Sequence, residues 1–448
     1  MKRQLLLTAI SLCILTACKD DDDPKLDLSG NITFDWRGSS NTTDYAVISD
    51  TLGNVVEWKK LDHDAVTPLP YPPGDSKLAN LTLITRRAWG GGDFSTAIRT
   101  YTGVAAGDYT DHIDSNVPLP KVFNDDIKIT INNRTVYNTY AVFIKGDKTY
   151  KDWSDDGEKI SIIYGIPATG NQLYIELQKF TGVFSPVYKY FYTPDLTPQE
   201  IIVDDAFFDA MQDLDAHVIN YPDHTNNKLD WTNALLIGVD GSESSTLDFV
   251  DWHPTEQPIL RYPTIPGLFP KFETIIWSDG KDGKTYFTDM TQSEVLTNIV
   301  NLDMQLVKRS SVTAERISVD VSGKADVAIF FSSFGQSNDY FTWELYGPMS
   351  SKIRINPPRL PDDLIKEMAG LADSKDITFS SFSADEYNMS YDEYYKNVLK
   401  GNPGGRLDHV RGVTFNFDDD DGGRTTQEPH GFEKLLARYG ITVPGKKK

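Results

Sequence analysis

Hydrophobic and polar residues alternate in short runs along the whole chain, and clusters of Gly, Pro, Asn and Asp separate these runs. Alternation of this kind is typical of half-buried β-strands, because successive side chains of a strand face opposite sides of the sheet. We therefore predict a mostly β structure. Its strands include residues 31–34, 45–49, 78–85, 127–131, 172–177, 317–321 and 327–331.

A short apolar motif recurs four times at nearly constant spacing. Its alanines are separated by 95, 93 and 94 residues, and a tryptophan follows each of them. A period near 94 residues is too long for a solenoid repeat but suits a self-contained sandwich of about 100 residues. We predict four tandem immunoglobulin-like β-sandwich domains with a few short helices, arranged as a rod. The motif residues are Ala46 with Trp58, Ala141 with Trp153, Ala234 with Trp252, and Ala328 with Trp343.

The repeat also predicts the division of the chain. We expect a signal peptide at 1–17, a tether at 18–28, and sandwiches at 29–124, 125–214, 215–311 and 312–448. A helical linker at 198–214 would join the second and third units. The fourth unit is enlarged by helical segments at 360–371 and 431–439 and by a tyrosine-rich stretch. Because inward positions pack between sheets, we expect the four repeat tryptophans, and also Trp36, to lie in cores.

The N-terminus predicts a membrane anchor. Met1, Lys2 and Arg3 form a short positive region before an apolar run at 5–14, which is too short to cross a bilayer as a helix of about 20 residues. The sequence Leu-Thr-Ala-Cys ending at Cys18 resembles the lipobox of bacterial lipoproteins. That resemblance implies cleavage before Cys18 and lipid on its sulfur. The alternative is an ordinary secretory signal in which Cys18 is incidental.

The next five residues resemble the export signal of lipoproteins of the Bacteroidota, in which acidic residues after the lipidated cysteine route the protein to the cell surface. The resemblance implies an outer-membrane protein that faces the cell exterior. A solvated acidic spacer is the alternative. The residues are Lys19, Asp20, Asp21, Asp22 and Asp23.

Charge and cysteine content exclude several classes of protein. The formal net charge of −21 disfavours binding to nucleic acid or to anionic lipid headgroups, so we expect no nucleic-acid partner. The two cysteines are Cys13, inside the predicted signal, and Cys18. No thiol then remains for a disulfide, a zinc thiolate site or a cysteine nucleophile.

Motifs for catalysis and cofactors are absent from the sequence, which contains no His-Glu-x-x-His, nucleophile elbow, phosphate loop or dinucleotide fingerprint. We predict no cofactor and no metal, and no catalytic residue can be named. His430 and Glu433 form an isolated pair on a predicted helix, which is too few ligands for a closed metal site. Residues 416–421 resemble the start of a calcium loop, but Asp421 and Gln427 stand where an EF-hand needs glycine and glutamate. A calcium site near Asp418 stays an open alternative.

Three aromatic residues are candidates for ligand binding. Trp89 precedes three glycines, and Trp277 and Tyr286 flank an Asp-Gly turn. An exposed aromatic face can stack against the C–H groups of a sugar, so these residues would contribute to glycan-binding surfaces. The alternative is that they fill cores and domain junctions.

Three functions compete. The first is a lipid-anchored surface protein that binds a polysaccharide or another extracellular ligand. In plan, the chain resembles the glycan-binding lipoproteins of Sus-type uptake systems, which also place tandem sandwiches after a lipidated cysteine. A structural or adhesive surface protein, such as a fimbrial subunit or anchor, is the alternative, with a surface protein as partner and the fourth unit as the working end. A hydrolase, with the segment after Leu360 shaping a cleft, is the third.

Overall fold

A computed structural model describes part of the chain, and it is mostly β. None of the described helices is long and apolar enough to cross a membrane. The described residues are 32–36, 42–62, 65–70, 78–89, 93–111, 123–133, 135–144, 150–167, 172–180, 186–194, 199–218, 220, 232–239, 246–250, 259–262, 265, 269–280, 282–336, 339–399 and 409–417.

The first unit is a sandwich of two sheets. Its strands are β1 (Ile32–Trp36), β2 (Thr42–Ser49), β3 (Val55–Leu61), β4 (Ala65–Leu69), β5 (Ala79–Trp89), β6 (Asp93–Val104) and β7 (Gly107–Asp111). The first sheet has the order β4-β1-β7, with β1 parallel to β7. The second has the order β6-β5-β2-β3, with antiparallel neighbours.

The second unit follows the same plan with one change. Its elements are β8 (Phe123–Ile131), β9 (Tyr137–Ile144), β10 (Tyr150–Asp155), β11 (Ile160–Pro167), β12 (Leu173–Phe180), β13 (Pro186–Thr193), β14 (Glu200–Val203), α1 (Asp205–Ala210) and β15 (Gln212–Asp213). Its sheets are β10-β11-β8-β14 and β15-β13-β12-β9. The change is at β10, which pairs with β11 in the first sheet, whereas the corresponding β3 pairs with β2 in the second.

The third unit repeats the plan. Its strands are β16 (Asp215–Val218), β17 (Thr232–Val239), β18 (Thr246–Val250), β19 (Ile259–Tyr262), β20 (Lys271–Asp279) and β21 (Lys284–Gln292). Strands β16 and β19 pair, and β18-β17-β20-β21 form the second sheet. A parallel bridge between Asn220 and Asn298 stands where β1 meets β7 in the first unit.

The fourth unit adds helices to the plan. Its elements are β22 (Met304–Val312), β23 (Ile317–Gly323), β24 (Val327–Gln336), β25 (Asp339–Pro348), β26 (Lys352–Ile355), α2 (Asp362–Glu367), a 3₁₀ helix (Ala369–Asp376), β27 (Ser381–Glu386), α3 (Tyr391–Leu399) and β28 (His409–Asn416). The sheets are β22-β23-β26 and β25-β24-β27-β28. Strand β22 takes the place that β7 has in the first unit, but it runs antiparallel to its neighbour.

The second sheets of three units join edge to edge into one sheet of twelve strands. The order is β18-β17-β20-β21 from the third unit, β28-β27-β24-β25 from the fourth, and β6-β5-β2-β3 from the first. Two seams connect them: β21 with β28, antiparallel, and β25 with β6, parallel. At the far end, β18 lies beside β9 of the second unit.

This joined sheet confirms tandem β-sandwiches but corrects the expected rod. The fourth unit lies between the first and third in the sheet and is not the outermost unit. The linker also differs from the expectation, because residues 200–203 form a strand and only the six residues of α1 are helical. The helical segment expected at 360–371 is present as α2 and the start of the 3₁₀ helix.

Strand β2 shows how the seam changes burial. Six consecutive positions, from Asp44 to Ser49, are buried along its length. Ala46 and Ile48 pack into the core of the first unit, whereas Tyr45 and Val47 pack into the core of the fourth. A strand with a core on both faces is typical of the interior of a layered structure rather than of an isolated sandwich.

The repeat tryptophans do not share one environment. Trp343 is 1% exposed, as predicted for a core residue, because β25 has a neighbour on both sides. Trp58 is partly buried against the fourth-unit core. Trp153 is 50% exposed, so the prediction of a core residue is wrong there. Its strand, β10, ends the first sheet of its unit, whereas the strands of Trp58 and Trp343, β3 and β25, belong to the second sheets. Trp252 and the side chain of Trp36 lie outside the described residues.

Replacing these two tryptophans should have opposite consequences for stability. We expect Trp343→Ala to lower the free energy of unfolding by about 3–5 kcal/mol, because it empties a packed core. Trp153→Ala should change it by about 0.5 kcal/mol or less, as surface substitutions do. Urea denaturation followed by circular dichroism measures both. An equal loss in the two variants would contradict the placement of Trp153.

Candidate functional site

The seam between the fourth and first units is the most elaborate contact between units in the described structure. Strands β25 and β6 run parallel, and eight residue pairs connect them from Asp339 with Phe94 to Tyr346 with Tyr101. Both would be edge strands in isolated units, with a row of unpaired N–H and C=O groups. Pairing across the seam supplies those groups with partners.

A chain of buried side-chain hydrogen bonds crosses this seam. The indole nitrogen Nε1 of Trp343 donates to Oγ1 of Thr100 at 3.1 Å, and the hydroxyls of Thr100 and Thr82 are 2.9 Å apart. Thr82 and Thr100 are fully buried. A buried donor without a partner lowers stability by about 1–3 kcal/mol. These hydrogen bonds therefore allow an indole from the fourth unit to pack on polar positions of the first.

Two ion pairs and a ring stack lie along the same seam. Arg86 contacts Asp339 at 2.9 Å, and Arg99 contacts Glu344 at 3.5 Å. Since these side chains retain some exposure, each pair contributes only about 0–1 kcal/mol. The rings of Tyr101 and Tyr346 stack with centroids 5.0 Å apart. The ion pairs therefore help to fix which residues face each other across the seam, and they contribute little to its stability.

Helix α3 covers one face of the seam with tyrosines. Tyr391, Tyr394 and Tyr395 are spaced i, i+3, i+4, which places them on one face of the helix, and all three are buried. The hydroxyl of Tyr391 donates to the carbonyl of Tyr346 at 2.9 Å, and burial raises the pKa of Tyr391. The hydroxyl of Tyr395 accepts from the backbone N–H of Ala105 at 3.3 Å. One helix of the fourth unit is thus bonded to both sides of the seam.

The opposite face is covered by α2 and the 3₁₀ helix. The hydroxyl of Tyr45 donates to Oε2 of Glu367 at 2.9 Å. Burial, together with Glu367, raises the pKa of Tyr45 to about 12. A Cβ atom at Gly370 would collide with the ring of Phe341, which shows how closely the 3₁₀ helix packs on β25.

The second and third units meet through an aromatic layer. Tyr174 and Tyr190 lie on β12 and β13, with ring centroids 5.8 Å apart. They pack in one cluster with Phe269, Ile276 and residues that follow β21. Strand β12 therefore has a core on both faces, as β2 has, because Leu173 and Ile175 pack into the second unit itself.

A buried carboxyl lies within this layer. Glu176 is fully buried, and its Oε2 accepts a hydrogen bond from the hydroxyl of Tyr174 at 2.8 Å. No hydrogen-bond partner for its Oε1 is found in the part of the chain that is described. Burial raises the pKa of Glu176 from 4.5 to about 8, so the carboxyl is protonated at neutral pH.

Of the three aromatic residues predicted to bind ligand, Trp277 and Tyr286 lie on the paired strands β20 and β21, Trp89 lies apart on β5, and the side chains of Trp89 and Trp277 lie outside the described residues. Tyr286 is 8% exposed, packs in the fourth-unit core and donates its hydroxyl to Oδ2 of Asp282 at 3.1 Å. The expectation of an exposed platform at Tyr286 is therefore wrong. Trp277 pairs with Phe287 on β21, and Trp89 pairs with Asp93 on β6. The strands of Tyr286 and Trp89 are six places apart in the sheet, roughly 29 Å at the usual strand spacing.

Other predicted sites lie outside the described residues. These include Cys18, the export signal from Lys19 to Asp23, the acidic residues near Asp418, and the pair His430 and Glu433. Within the described ranges, no group of three or more His, Cys, Asp or Glu side chains could hold a metal ion.

Sequence reasoning missed both the seam and the role of the tyrosines. The tyrosine-rich stretch was visible, and the spacing of Tyr391, Tyr394 and Tyr395 already indicated one face of a helix. The partner of that face could not be read from it, because Tyr101 and Ala105 lie almost 300 positions earlier.

Comparisons with known proteins assign no family. No protein-family model and no curated protein matches the sequence. A solved structure of a tetra-tandem repeat from the extending region of a large adhesion protein is similar at 10% identity, covering 79% of this chain and 94% of that chain, with a TM-score of 0.12. A TM-score this low carries no argument, so the fold stands on the strand pairing described above.

Glu176 should make the stability of the protein depend on pH. A carboxyl with a raised pKa in the folded state contributes stability that is fully present below about pH 4.5 and is lost as pH rises to about 8. The loss is on the order of 5 kcal/mol. Glu176→Gln keeps an oxygen for Tyr174 and cannot ionise. We expect its stability relative to the wild type to rise between pH 5 and pH 9, measured by urea denaturation.

The matched control is Glu158→Gln, which removes an exposed carboxyl from a turn of the same unit. Its stability relative to the wild type should stay within about 0.5 kcal/mol over the same pH range. A parallel response of the two variants would show that burial of Glu176 is not the cause.

Proposed function

We propose that this chain is a structural or adhesive protein of the cell surface, held to the outer membrane by lipid on Cys18. The observation that supports the proposal is the twelve-stranded sheet, which joins the third, fourth and first units through paired backbones. A protein that spans from a membrane to an external partner must keep its units aligned, and the two seams do so without a flexible linker.

The seams resist separation because several kinds of contact must break together. Parting the fourth unit from the first removes eight residue pairs of β25 with β6 and the Trp343–Thr100 hydrogen bond. It also exposes Tyr45, Val47 and the tyrosines of α3, which are buried in shared cores. At roughly 1.5–3 kcal/mol for each fully buried side chain, opening such a seam is far costlier than bending a linker.

Anchoring and orientation enter the proposal from the N-terminal sequence. Cys18 ends a lipobox-like segment, and the aspartates from Asp20 to Asp23 resemble a surface-export signal. With that anchor, the joined units extend from the membrane as one body, and a surface protein or a neighbouring cell is the expected partner.

Glycan binding is less well supported than a structural role. It was expected to use exposed aromatic side chains, and Tyr286 is buried. The side chains of Trp89 and Trp277 lie outside the described residues, and glycan binding by them stays a prediction. No described feature favours a catalytic function.

Deletion and complementation in the source bacterium test the proposal. We expect a strain without the chain to lose attachment to surfaces or cell-to-cell aggregation, and wild-type complementation to restore it. Cys18→Ala should release the protein from the membrane and fail to restore attachment. Protease treatment of intact cells should digest the wild-type protein.

A second variant separates anchoring from export. Replacing the four aspartates from Asp20 to Asp23 by Asn keeps Cys18 and should leave the protein anchored but protected from external protease. Normal attachment of the deletion strain would overturn the adhesive role. Resistance of the wild-type protein until the outer membrane is permeabilised would overturn the surface location.

A further inference from the structure

Strand β3 ends the twelve-stranded sheet. It runs from Val55 to Leu61 and pairs with β2 on one side. No described strand pairs with its other side. The outer N–H and C=O groups of such an edge form a template for pairing with a further strand. Val56 is 38% exposed on this strand, so the edge carries apolar surface as well as backbone groups.

At one of its two seams, the chain already joins its own units by pairing equivalent edge strands; at the other, β25, the counterpart of β3, pairs parallel with β6. Strand β21 is the sixth strand of the third unit's plan, and β28 is its counterpart in the fourth unit. The two pair antiparallel over seven residue positions, from Lys284 with Phe415 to Met290 with His409. Two equivalent strands paired antiparallel are related by an approximate twofold axis, which is the geometry of a symmetric dimer contact.

The sequence of β3 is complementary to itself in this arrangement. If two copies pair antiparallel with Trp58 opposite Trp58, each Glu57 lies opposite Lys59 of the other copy. Opposite charges and aromatic pairs at directly facing positions both stabilise a sheet. Within one chain, Lys59 lies 3.3 Å from Glu57 and is part-exposed. Lys59 also donates to the carbonyl oxygen of Pro68 at 2.6 Å, so pairing of two copies would exchange these contacts within one chain for contacts with Glu57 of the other copy.

The remaining positions fit the same register. Val56 lies opposite Lys60 of the other copy, and the aliphatic stem of a lysine can cover an apolar neighbour while its charge stays in water. Lysines on an edge strand ordinarily discourage pairing, because like charges meet. Here the antiparallel register brings Lys59 against Glu57 and removes that obstacle.

We propose that two copies of this chain associate through β3, antiparallel and centred on Trp58, so that two sheets of twelve strands become one of twenty-four. The contact uses the same surface on both copies. It therefore closes as a dimer and does not propagate into a fibre. The inference stands on the edge of the sheet and is independent of the lipid anchor and of adhesion.

Charge exchange tests the register. The full chain is purified with a mild detergent, and its molar mass is measured by light scattering and sedimentation velocity over a range of concentrations. We expect a monomer–dimer equilibrium. Glu57→Lys and Lys59→Glu should each weaken it about tenfold or more, because two symmetric attractions become repulsions. The double variant, with both substitutions, should restore the wild-type equilibrium.

Cysteine cross-linking tests the centre of the contact. Facing Cα atoms of an antiparallel pair are about 4.5–5.5 Å apart, which is within the range for a disulfide. Trp58→Cys should therefore give a disulfide-linked dimer on mild oxidation. Val66→Cys, on the neighbouring β4 and 62% exposed, is the matched control and should not. The wild-type chain, which retains Cys18, is run beside both.

Some results would overturn the inference. These are a wild-type chain that is monomeric at every concentration, a double charge variant that does not recover the equilibrium, or equal cross-linking at positions 58 and 66. Circular dichroism of each variant identifies a loss of folding, and Val66→Cys then fixes the background for random collision. Attachment of cells does not enter either readout, so failure here leaves the proposed function untouched.

Discussion

Backbone pairing between units is the constraint on which the structure depends. A sandwich unit has strands at its sheet edges whose N–H and C=O groups need partners. In this chain β21 pairs with β28, and β25 pairs with β6, so edges of different units satisfy one another. Once the sheets are joined, positions that face solvent in a lone sandwich face a neighbouring unit, so their side chains must be apolar or hydrogen-bonded, as those of Thr82 and Thr100 are. The buried run along β2 follows from that requirement.

Joining the sheets also leaves the two faces of the seam to be covered by helices outside the sandwich plan. The helices α2 and α3 and the 3₁₀ helix belong to the fourth unit, and they pack on opposite faces of the fourth–first seam. Their polar atoms are arranged accordingly: Tyr45 donates to Glu367 on one face, and Tyr391 donates to a backbone carbonyl on the other. The described helices of the fourth unit are thus accounted for by its central place in the sheet.

The two junctions solve the burial of polar groups differently. At the fourth–first seam the buried polar side chains include Thr82 and Thr100, neutral groups whose hydrogen bonds do not depend on pH. Between the second and third units the buried group is Glu176, which stays in place by remaining protonated. Charging a carboxyl in such surroundings is costly, so the stability of the second junction responds to pH.

The sequence by itself determined the features that depend on local pattern and on repetition. Alternation predicted the strands and the spacing near 94 residues predicted tandem sandwiches, which the strand pairing confirms, whereas lipidation of Cys18 stays a prediction. The sequence could not determine which strands pair between units, because strands pair through backbone N–H and C=O groups, which are the same for nearly every residue type. Trp58, Trp153 and Trp343 occupy one repeat position, yet they are partly buried, exposed and fully buried. Only the tertiary structure decides this, since burial at this position depends both on a strand pairing beside it, as β6 does beside Trp343, and on a unit packing over its face, as the fourth unit does over Trp58.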